Sequence, residues 1–218
     1  MKRAFFLSVL LSISTPALAA DLSAQPVATM PYSWTGFYVG AQAGGGWNNS
    51  RWDDAVDPVF NTNGSGGIFG GQIGYNYQIN QFVIGMEVDL AGSTAQGAAE
   101  CAANQVCEAK QDYLASARGR LGYTIDRLHV YGDGGLAFTN YKFDSFTSSF
   151  HESFSGGSRV GWTAGLGVEY AFTDHWTGGF EWNYYDFGSK AGQNSTPGFF
   201  INIRNTENVA VARVNYKF

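Results

Sequence analysis

Nine charged side chains share one face of the alternating segments that fill most of the chain, and they are the residues best placed to do chemistry. They are Glu87, Asp89, Asp133, Glu169, Glu181, Arg118, Arg120, Arg213 and Lys217. Acidic pairs such as Glu87 with Asp89, or Glu169 with Glu181, are the residue types that general acid–base catalysis uses. Four basic residues on the same face favour salt bridges instead. We therefore expect a structural charge network and no enzyme.

Histidine and cysteine offer few candidates for metal or nucleophile chemistry. His129 is predicted on the charged face, His151 in a long polar loop among phenylalanines and His175 in a short turn, so the three should not converge. A histidine among aromatics has the character of a haem ligand, which makes His151 a haem candidate; an ordinary loop histidine is the alternative. Cys101 and Cys107 lack nearby histidine for a four-ligand zinc site, and in an oxidising compartment they predict one loop disulfide. We predict no catalytic residue, metal or cofactor.

The composition excludes several classes of protein. The 218 residues are 44% hydrophobic, 16% aromatic and only 14% charged, against about 25% charged residues in ordinary soluble domains. Abundant, alternating apolar residues exclude a disordered chain. A formal net charge of −5 without any Lys/Arg cluster excludes a nucleic-acid partner, because phosphate binding needs clustered cations.

The N-terminal residues predict export. Lys2 and Arg3 precede an apolar run, and the small residues Ala17 and Ala19 follow it. This is the pattern of a secretory signal peptide over residues 1–19, and the run is shorter than the ~20 residues of a membrane-spanning helix. A short periplasmic tail over 20–33 and one domain over 34–218 complete the predicted organisation.

Eight segments from Trp34 onward carry an apolar residue at every second position, which predicts β-strands. From Val160 to Tyr170 every even position is apolar and every odd position is Gly, Thr or Glu. No charge interrupts the apolar face of any segment. The connections alternate between short turns and four polar links of about 20 residues, at 48–66, 91–112, 139–158 and 188–207. This alternation predicts an up-and-down barrel with two unlike ends.

Periodicity alone leaves open which face of the barrel points outward. A soluble ligand-binding barrel turns its apolar face inward, whereas a membrane barrel turns it to lipid and keeps the charges in the lumen. Segments of about 9–11 residues match a tilted membrane crossing, and aromatic residues recur at their ends. We therefore predict an all-β, eight-stranded antiparallel transmembrane barrel with short periplasmic turns and long extracellular loops. The lumen of such a barrel is only wide enough for side chains to fill it.

Five stretches resemble the RopB-type small outer-membrane proteins of alphaproteobacteria. They are WTGFYVG at 34–40, ARGRLGYT at 117–124, RLHVYGDGGLAF at 127–138, GWTAGLGVEYAF at 161–172 and VARVNYKF at 211–218. The resemblance implies a multi-pass protein of a Gram-negative outer membrane, in contact with lipid and lipopolysaccharide. It also implies that the barrel-assembly machinery recognises the terminal aromatics Tyr216 and Phe218. Members of this family are known as surface antigens and envelope-integrity proteins, and others as porins or haemin binders.

The residues and the resemblance together predict a structural role in the envelope and a surface-interaction role. Two alternatives stay open at this point. One is a narrow, porin-like pore for small solutes, and the other is binding of haemin or a host surface through the extracellular loops.

Overall fold

Strands begin at Gly36 and follow the alternating pattern to the end of the chain. A computed structural model describes residues 32–54, 60–102, 105–147, 150–193 and 200–218. The predicted signal peptide and most of the predicted tail lie outside these ranges. The strands are β1 (Gly36–Asp54), β2 (Phe60–Ile79), β3 (Phe82–Ser93), β4 (Gln96–Ala102), β5 (Gln105–Ile125), β6 (Leu128–Thr147), β7 (Phe150–Ala171), β8 (Trp176–Gln193) and β9 (Phe200–Lys217). No helix among the described residues is long and apolar enough to cross a membrane.

All strand pairs are antiparallel, and the sheet closes on itself because β1 pairs with both β2 and β9. β4 continues β3 after a break at Thr94 and Ala95, and both strands pair with β5. β3 and β4 therefore share one position in the barrel wall, and the nine strands make an eight-stranded barrel. This confirms the predicted fold class.

Three tight turns lie at one end of the barrel, at residues 80–81, 126–127 and 172–175. Asn80 and Asp126 adopt φ angles of 55° and 53°, a left-handed conformation that Asn and Asp tolerate better than most residues. The chain terminus lies at the same end, where the Phe218 N–H donates to the Phe37 carbonyl over 3.0 Å. We call this the short-turn end and the opposite one the hairpin end.

The four links predicted as long loops are largely strand in the structure. β1, β2 and β5 to β9 run for 18 to 22 residues, about twice the length that the alternation predicts. Asn49 still pairs with Asn63, and Asp144 with Ser153, well inside the predicted loops. Backbone hydrogen bonding extends an antiparallel hairpin whatever its side chains, whereas the apolar alternation stops where both faces become polar.

The apolar face of the barrel points outward. Along β3 exposed and buried residues alternate strictly from Phe82 to Ala91; Met86 is 74% exposed and its neighbour Glu87 only 1%. This is the reverse of a soluble barrel and the arrangement expected where lipid surrounds the wall.

Ala164 tests this assignment, because it lies on the outward face, level with Gly134 and Tyr184 on the neighbouring strands. Ala164→Arg should lower the free energy of unfolding by about 2–4 kcal/mol if the residue lies near the bilayer midplane, since the charge enters hydrocarbon. Urea unfolding of the protein in lipid vesicles measures the difference. Ala164→Leu is the matched control and should be neutral; equal stability of the two variants would mean that this face is not in lipid.

Inward-facing side chains divide the lumen into four layers from the short-turn end to the hairpin end. The first layer, the aromatic cap, consists of Tyr32, Trp34, Val83 and Ala171. The second contains most of the predicted charges. The third layer, the apolar belt, consists of Ile68, Ala91, Leu114, Ala137, Tyr185, Phe187, Val209 and Val211. The fourth, the outer polar layer, includes the buried residues Gln111, Thr139, Asn205 and Glu207.

Candidate functional site

Most of the charged residues predicted on the polar face meet in the middle of the lumen, where all of them are buried. We call them the charge cluster: Glu87, Asp89, Asp133, Glu169, Glu181, Arg118, Arg120 and Arg213.

Strand register brings opposite charges of this cluster together. Glu87 on β3 lies directly opposite Arg118 on β5, and Arg120 lies opposite Asp133 on β6. Oppositely charged residues at facing positions stabilise a strand pair. Each charged residue occupies a strand position whose side chain points inward, so it lies in the lumen. The register between neighbouring strands then decides which opposite charge faces it.

Arg118 joins carboxylates from both sides of its own strand and from across the barrel. Its Nη2 lies 2.7 Å from Glu87 Oε1 and 3.2 Å from Asp89 Oδ2. Its Nη1 lies 3.1 Å from Asp133 Oδ1 and 2.6 Å from Glu181 Oε1. Because β5 and β8 are not neighbours in the sheet, the contact with Glu181 ties separate parts of the wall together.

The other two guanidinium groups complete the cluster around Glu87. Arg120 Nη2 lies 2.6 Å from Glu169 Oε1, and its Nη1 lies 3.2 Å from Glu87 Oε2. Arg213 pairs with Glu87 and Glu181, and its Nε lies 3.8 Å from Glu169 Oε1. Glu87 therefore contacts all three arginines.

Two tyrosine hydroxyl groups extend this network. Tyr38 donates to Glu87 Oε2 over 2.7 Å and accepts a bond from Arg120 Nη1 over 2.6 Å. Tyr131 donates to Glu181 Oε2 over 2.6 Å, and the Arg120 guanidinium lies 3.9 Å from the centre of its ring. The sequence alone does not reveal this role of Tyr38. Its position on the polar face of the first segment is the one indication that its side chain points into the lumen.

Glycines on the inner wall make room for both rings. A Cβ at Gly74 would lie 2.3 Å from the Tyr38 hydroxyl oxygen, and one at Gly167 would lie 2.2 Å from Cζ of Tyr131. Any larger residue at either position would displace the tyrosine. This close approach explains glycine in the lumen-facing pattern of β2 and β7.

The aromatic cap covers the charge cluster at the short-turn end. The Trp34 backbone N–H donates to Gln78 Oε1 over 2.7 Å, and its indole N–H donates to the Asp126 carbonyl over 3.3 Å. The Trp34 ring lies 4.9 Å from that of His129, which is buried and in turn lies 5.0 Å from Tyr131. A ring column thus runs from the cap to the cluster.

Lys217 belongs to the rim of the cap and not to the charge cluster, which corrects its predicted place. It lies four residues beyond Arg213, or roughly 13 Å along an extended strand. Its ammonium donates to the Ser33 carbonyl and lies 4.2 Å from the centre of the Tyr32 ring, which Arg127 also approaches to 5.3 Å. Burial, with the negative charge of Glu169 second, raises the pKa of Tyr32 to about 12.

The remaining predicted sites are not brought together by the described residues. The His175 ring stacks on Tyr216 at 5.5 Å in the last short turn. Cys101 lies on β4 and Cys107 on β5. The side chains of both cysteines and of His151 fall outside the part that the structure describes, so the disulfide and the haem contact stay predictions.

The terminal aromatics lie at the rim of the short-turn end. The Tyr216 ring lies 5.3 Å from that of Phe218, which is 72% exposed. Within the described ranges, no group of three or more His, Cys, Asp or Glu is arranged to hold a metal ion.

Chemically, the charge cluster is suited to holding the barrel together. The carboxylates of Glu87, Glu169 and Glu181 are engaged by guanidinium groups, and the layers on both sides of the cluster are buried. A buried charge is tolerated only when it is paired and hydrogen-bonded. The arrangement meets that requirement and leaves little room for a substrate.

The outward apolar wall, the filled polar lumen and the short turns at one end define an integral membrane β-barrel of the outer-membrane type. The chain belongs to the family described as outer membrane protein beta-barrel domain, whose family model matches residues 5–218.

Similarity to named relatives narrows the family to a smaller group of outer-membrane proteins. It is 34% identical to the 31 kDa outer-membrane immunogenic protein of Brucella melitensis biotype 1, over 249 aligned positions and 100% of both chains. It is 36% identical to the 22 kDa outer membrane protein of Rhizobium leguminosarum bv. viciae, over 160 residues that cover 72% of this chain and 66% of the relative. These matches confirm the resemblance to small alphaproteobacterial outer-membrane barrels and the multi-pass location in the outer membrane.

Among solved structures, the outer membrane protein OprG from Pseudomonas aeruginosa has the same fold. Its TM-score is 0.54 at 14% sequence identity, with 84% of this chain and 96% of that chain covered. With the family known, the short-turn end is periplasmic and the hairpin end extracellular.

Proposed function

We propose that this protein is a sealed, non-conducting and non-enzymatic barrel that strengthens the outer membrane and presents its four hairpins outside the cell. The main support is the closure of its lumen by successive buried layers. Trp34 in the aromatic cap is 2% exposed, and Leu114 in the apolar belt is 1% exposed. An ion crossing the barrel would have to displace both layers and the salt bridges between them.

The charge cluster supplies the mechanical part of this role. Arg118 connects β3, β6 and β8 to its own strand, and Arg213 connects β9 to β3 and β8. These contacts across the lumen add to the hydrogen bonds between neighbouring strands. A barrel tied in this way resists the separation of its wall within the membrane.

The partners in this proposal are those of an exported barrel. The outward apolar residues contact lipid, and the hairpins extend toward lipopolysaccharide and extracellular ligands. The barrel-assembly machinery would read Tyr216 and Phe218, whose rings lie together at the periplasmic rim with Phe218 exposed. The relatives named immunogenic proteins support a surface-presented role for the hairpins.

The purified protein should insert into a planar bilayer without producing conductance steps. Insertion is verified by co-flotation with lipid vesicles and by heat-modifiable migration on gels, and a porin added to the same membrane is the positive control. Reproducible steps whose ion selectivity changes in Glu87→Gln would contradict the proposal and establish a narrow pore in its place.

A further inference from the structure

Two arginines face each other on the outer surface at the hairpin end. Arg51 on β1 lies directly opposite Arg204 on β9. Both side chains are on the outward face and exposed, that of Arg204 by 55%. Among the described side chains, every other arginine and lysine is buried in the lumen or lies at the short-turn end. Like charges at facing positions destabilise a strand pair, so this arrangement becomes favourable when an anion lies between them.

The Arg204 guanidinium is held in place without being covered. Its Nη2 lies 2.7 Å from Asp186 Oδ2 on β8, and Asp186 Oδ1 accepts a 2.8 Å hydrogen bond from the Gly188 N–H. A guanidinium carries five N–H donors in a fixed fork, so one carboxylate oxygen leaves several donors for a further anion. The fork matches the oxygen atoms of a phosphate.

The two arginines lie just beyond the extracellular edge of the apolar wall. Phe37 and Trp47 are ten residues apart on the outward face of β1, about 33 Å along the strand and about 25 Å along the axis at a tilt of ~40°, which is the height of the apolar band. Trp47 is 49% exposed and marks the headgroup level. Arg51 lies four residues further, about 10 Å above that level, and its long stem allows the guanidinium to reach back toward it.

Amide and hydroxyl groups fill the space between Trp47 and the two arginines. Asn208 lies opposite Trp47, and Thr206 lies opposite Asn49. Asn49 is exposed, and its Nδ2 donates to Asn63 Oδ1 over 3.0 Å. Such groups both donate and accept hydrogen bonds, as the hydroxyl groups of a sugar require.

An apolar groove lies in the outer wall beside the same two strands. Its lining includes Ala43, Leu166, Val168, Phe180, Ala210 and Ala212. Ala212 lies opposite Ala43 on one side and opposite Phe180 on the other, so the surface steps down from a ring to methyl groups. Ala43 lies four residues before Trp47, about 10 Å deeper in the bilayer at the same tilt. A groove at this depth fits an acyl chain of the outer leaflet.

We propose that this face of β1 and β9 binds the lipid A part of lipopolysaccharide, with a phosphate between Arg51 and Arg204 and an acyl chain in the groove. The outward face changes from apolar to aromatic, then to amide and hydroxyl, and last to cationic. A phosphorylated glycolipid has acyl chains, sugar and phosphate to match this order. The inference rests on the proposed strengthening of the envelope and names the lipid through which the barrel would act.

Native mass spectrometry of the folded barrel in detergent tests this proposal. The probes are bisphosphorylated lipid A, the same lipid with its phosphates removed, and phosphatidylglycerol. The wild type should bind lipid A about tenfold more tightly than either of the other lipids, because only lipid A offers both a phosphate on a sugar and the charge-assisted hydrogen bonds to it. Excess inorganic phosphate should not displace it, since phosphate alone does not occupy the groove.

Variants separate the two parts of the site. Arg51→Gln with Arg204→Gln should weaken lipid A binding about tenfold or more, and Arg127→Gln at the short-turn end is the matched control that should leave it unchanged. Ala212→Phe fills the groove without changing any charge and should also weaken lipid A binding. Val88→Phe, on the outward face of β3 and 55% exposed before the change, is its control. Heat-modifiable migration verifies that each variant is folded.

Three results would overturn the proposal. They are equal binding of lipid A without its phosphates, unchanged binding in the folded double arginine variant, and displacement by inorganic phosphate with unchanged binding in Ala212→Phe. The last would indicate a site for free phosphate. Conductance steps would contradict the sealed lumen and leave this site intact, whereas a silent barrel that binds all three lipids equally would contradict this site alone.

Discussion

Replacing Arg213 by methionine should lower the free energy of unfolding by about 3–5 kcal/mol, because it leaves buried carboxylates without their partner. The Arg213 side chain is 0% exposed and pairs with Glu87 and Glu181. Methionine fills a similar volume, so the loss reports the charge and not a cavity. Urea unfolding in lipid vesicles, followed by tryptophan fluorescence, measures it.

Arg127→Met is the matched control for this variant. Arg127 pairs with Asp174 over 2.8 Å at the solvent-exposed rim, where an ion pair contributes about 1 kcal/mol or less. Adding Glu87→Gln to Arg213→Met should recover part of the lost stability, since it removes one uncompensated charge. If Arg213→Met were as stable as the wild type, the charge cluster would not hold the barrel together.

Replacing Trp34 by alanine should have an effect of similar size, about 3–5 kcal/mol, because a buried indole is lost from a packed layer. Trp34 also contributes hydrogen bonds to Gln78 and Asp126. The same vesicle unfolding experiment measures the change. Trp176→Ala is the control, because Trp176 lies at the same end of the barrel but is 50% exposed on the outer wall.

Trp34→Ala also separates the contributions of the layers that seal the lumen. With the cap removed, water should reach the charge cluster from the periplasmic side. The barrel should still show no conductance steps in a planar bilayer, because the apolar belt remains. Conductance in Trp34→Ala, with a silent wild type, would mean that the cap alone seals the lumen.

Much of the fold follows from local sequence patterns. The alternation from Val160 to Tyr170 separates an apolar face from a polar one, and the same alternation puts Glu87, Arg118 and Arg213 on the polar face of their strands. Segment length and the aromatic residues at segment ends then assign the apolar face to lipid. The short turns at Asn80 and Asp126 divide the strands correctly. These features are predictable because the side-chain direction in a strand has a period of two and depends only on neighbouring residues.

The candidate site is predictable only in part. Lys217 lies on the same face of β9 as Arg213. It is the last residue of that strand, so it lies at the rim and not in the middle of the lumen. The alternating pattern begins at Trp34 and predicts that this residue opens the first strand. In the structure Trp34 precedes β1, and its side chain is buried in the lumen. Glu207 lies in a segment predicted as a loop. In the structure it belongs to β9, and its side chain points inward like that of Arg213.

By itself, the sequence determined the class of the barrel, the direction of its apolar wall and the set of residues available to its interior. The tertiary structure decided which of these residues meet, how the lumen divides into layers and how far the hairpins extend. The physical reason is that the direction of a side chain in a strand depends only on its position in the alternation. Contacts across the lumen, in contrast, depend on the register of all eight wall positions together. A shift of one strand by two residues would keep every charge inside and give it different partners.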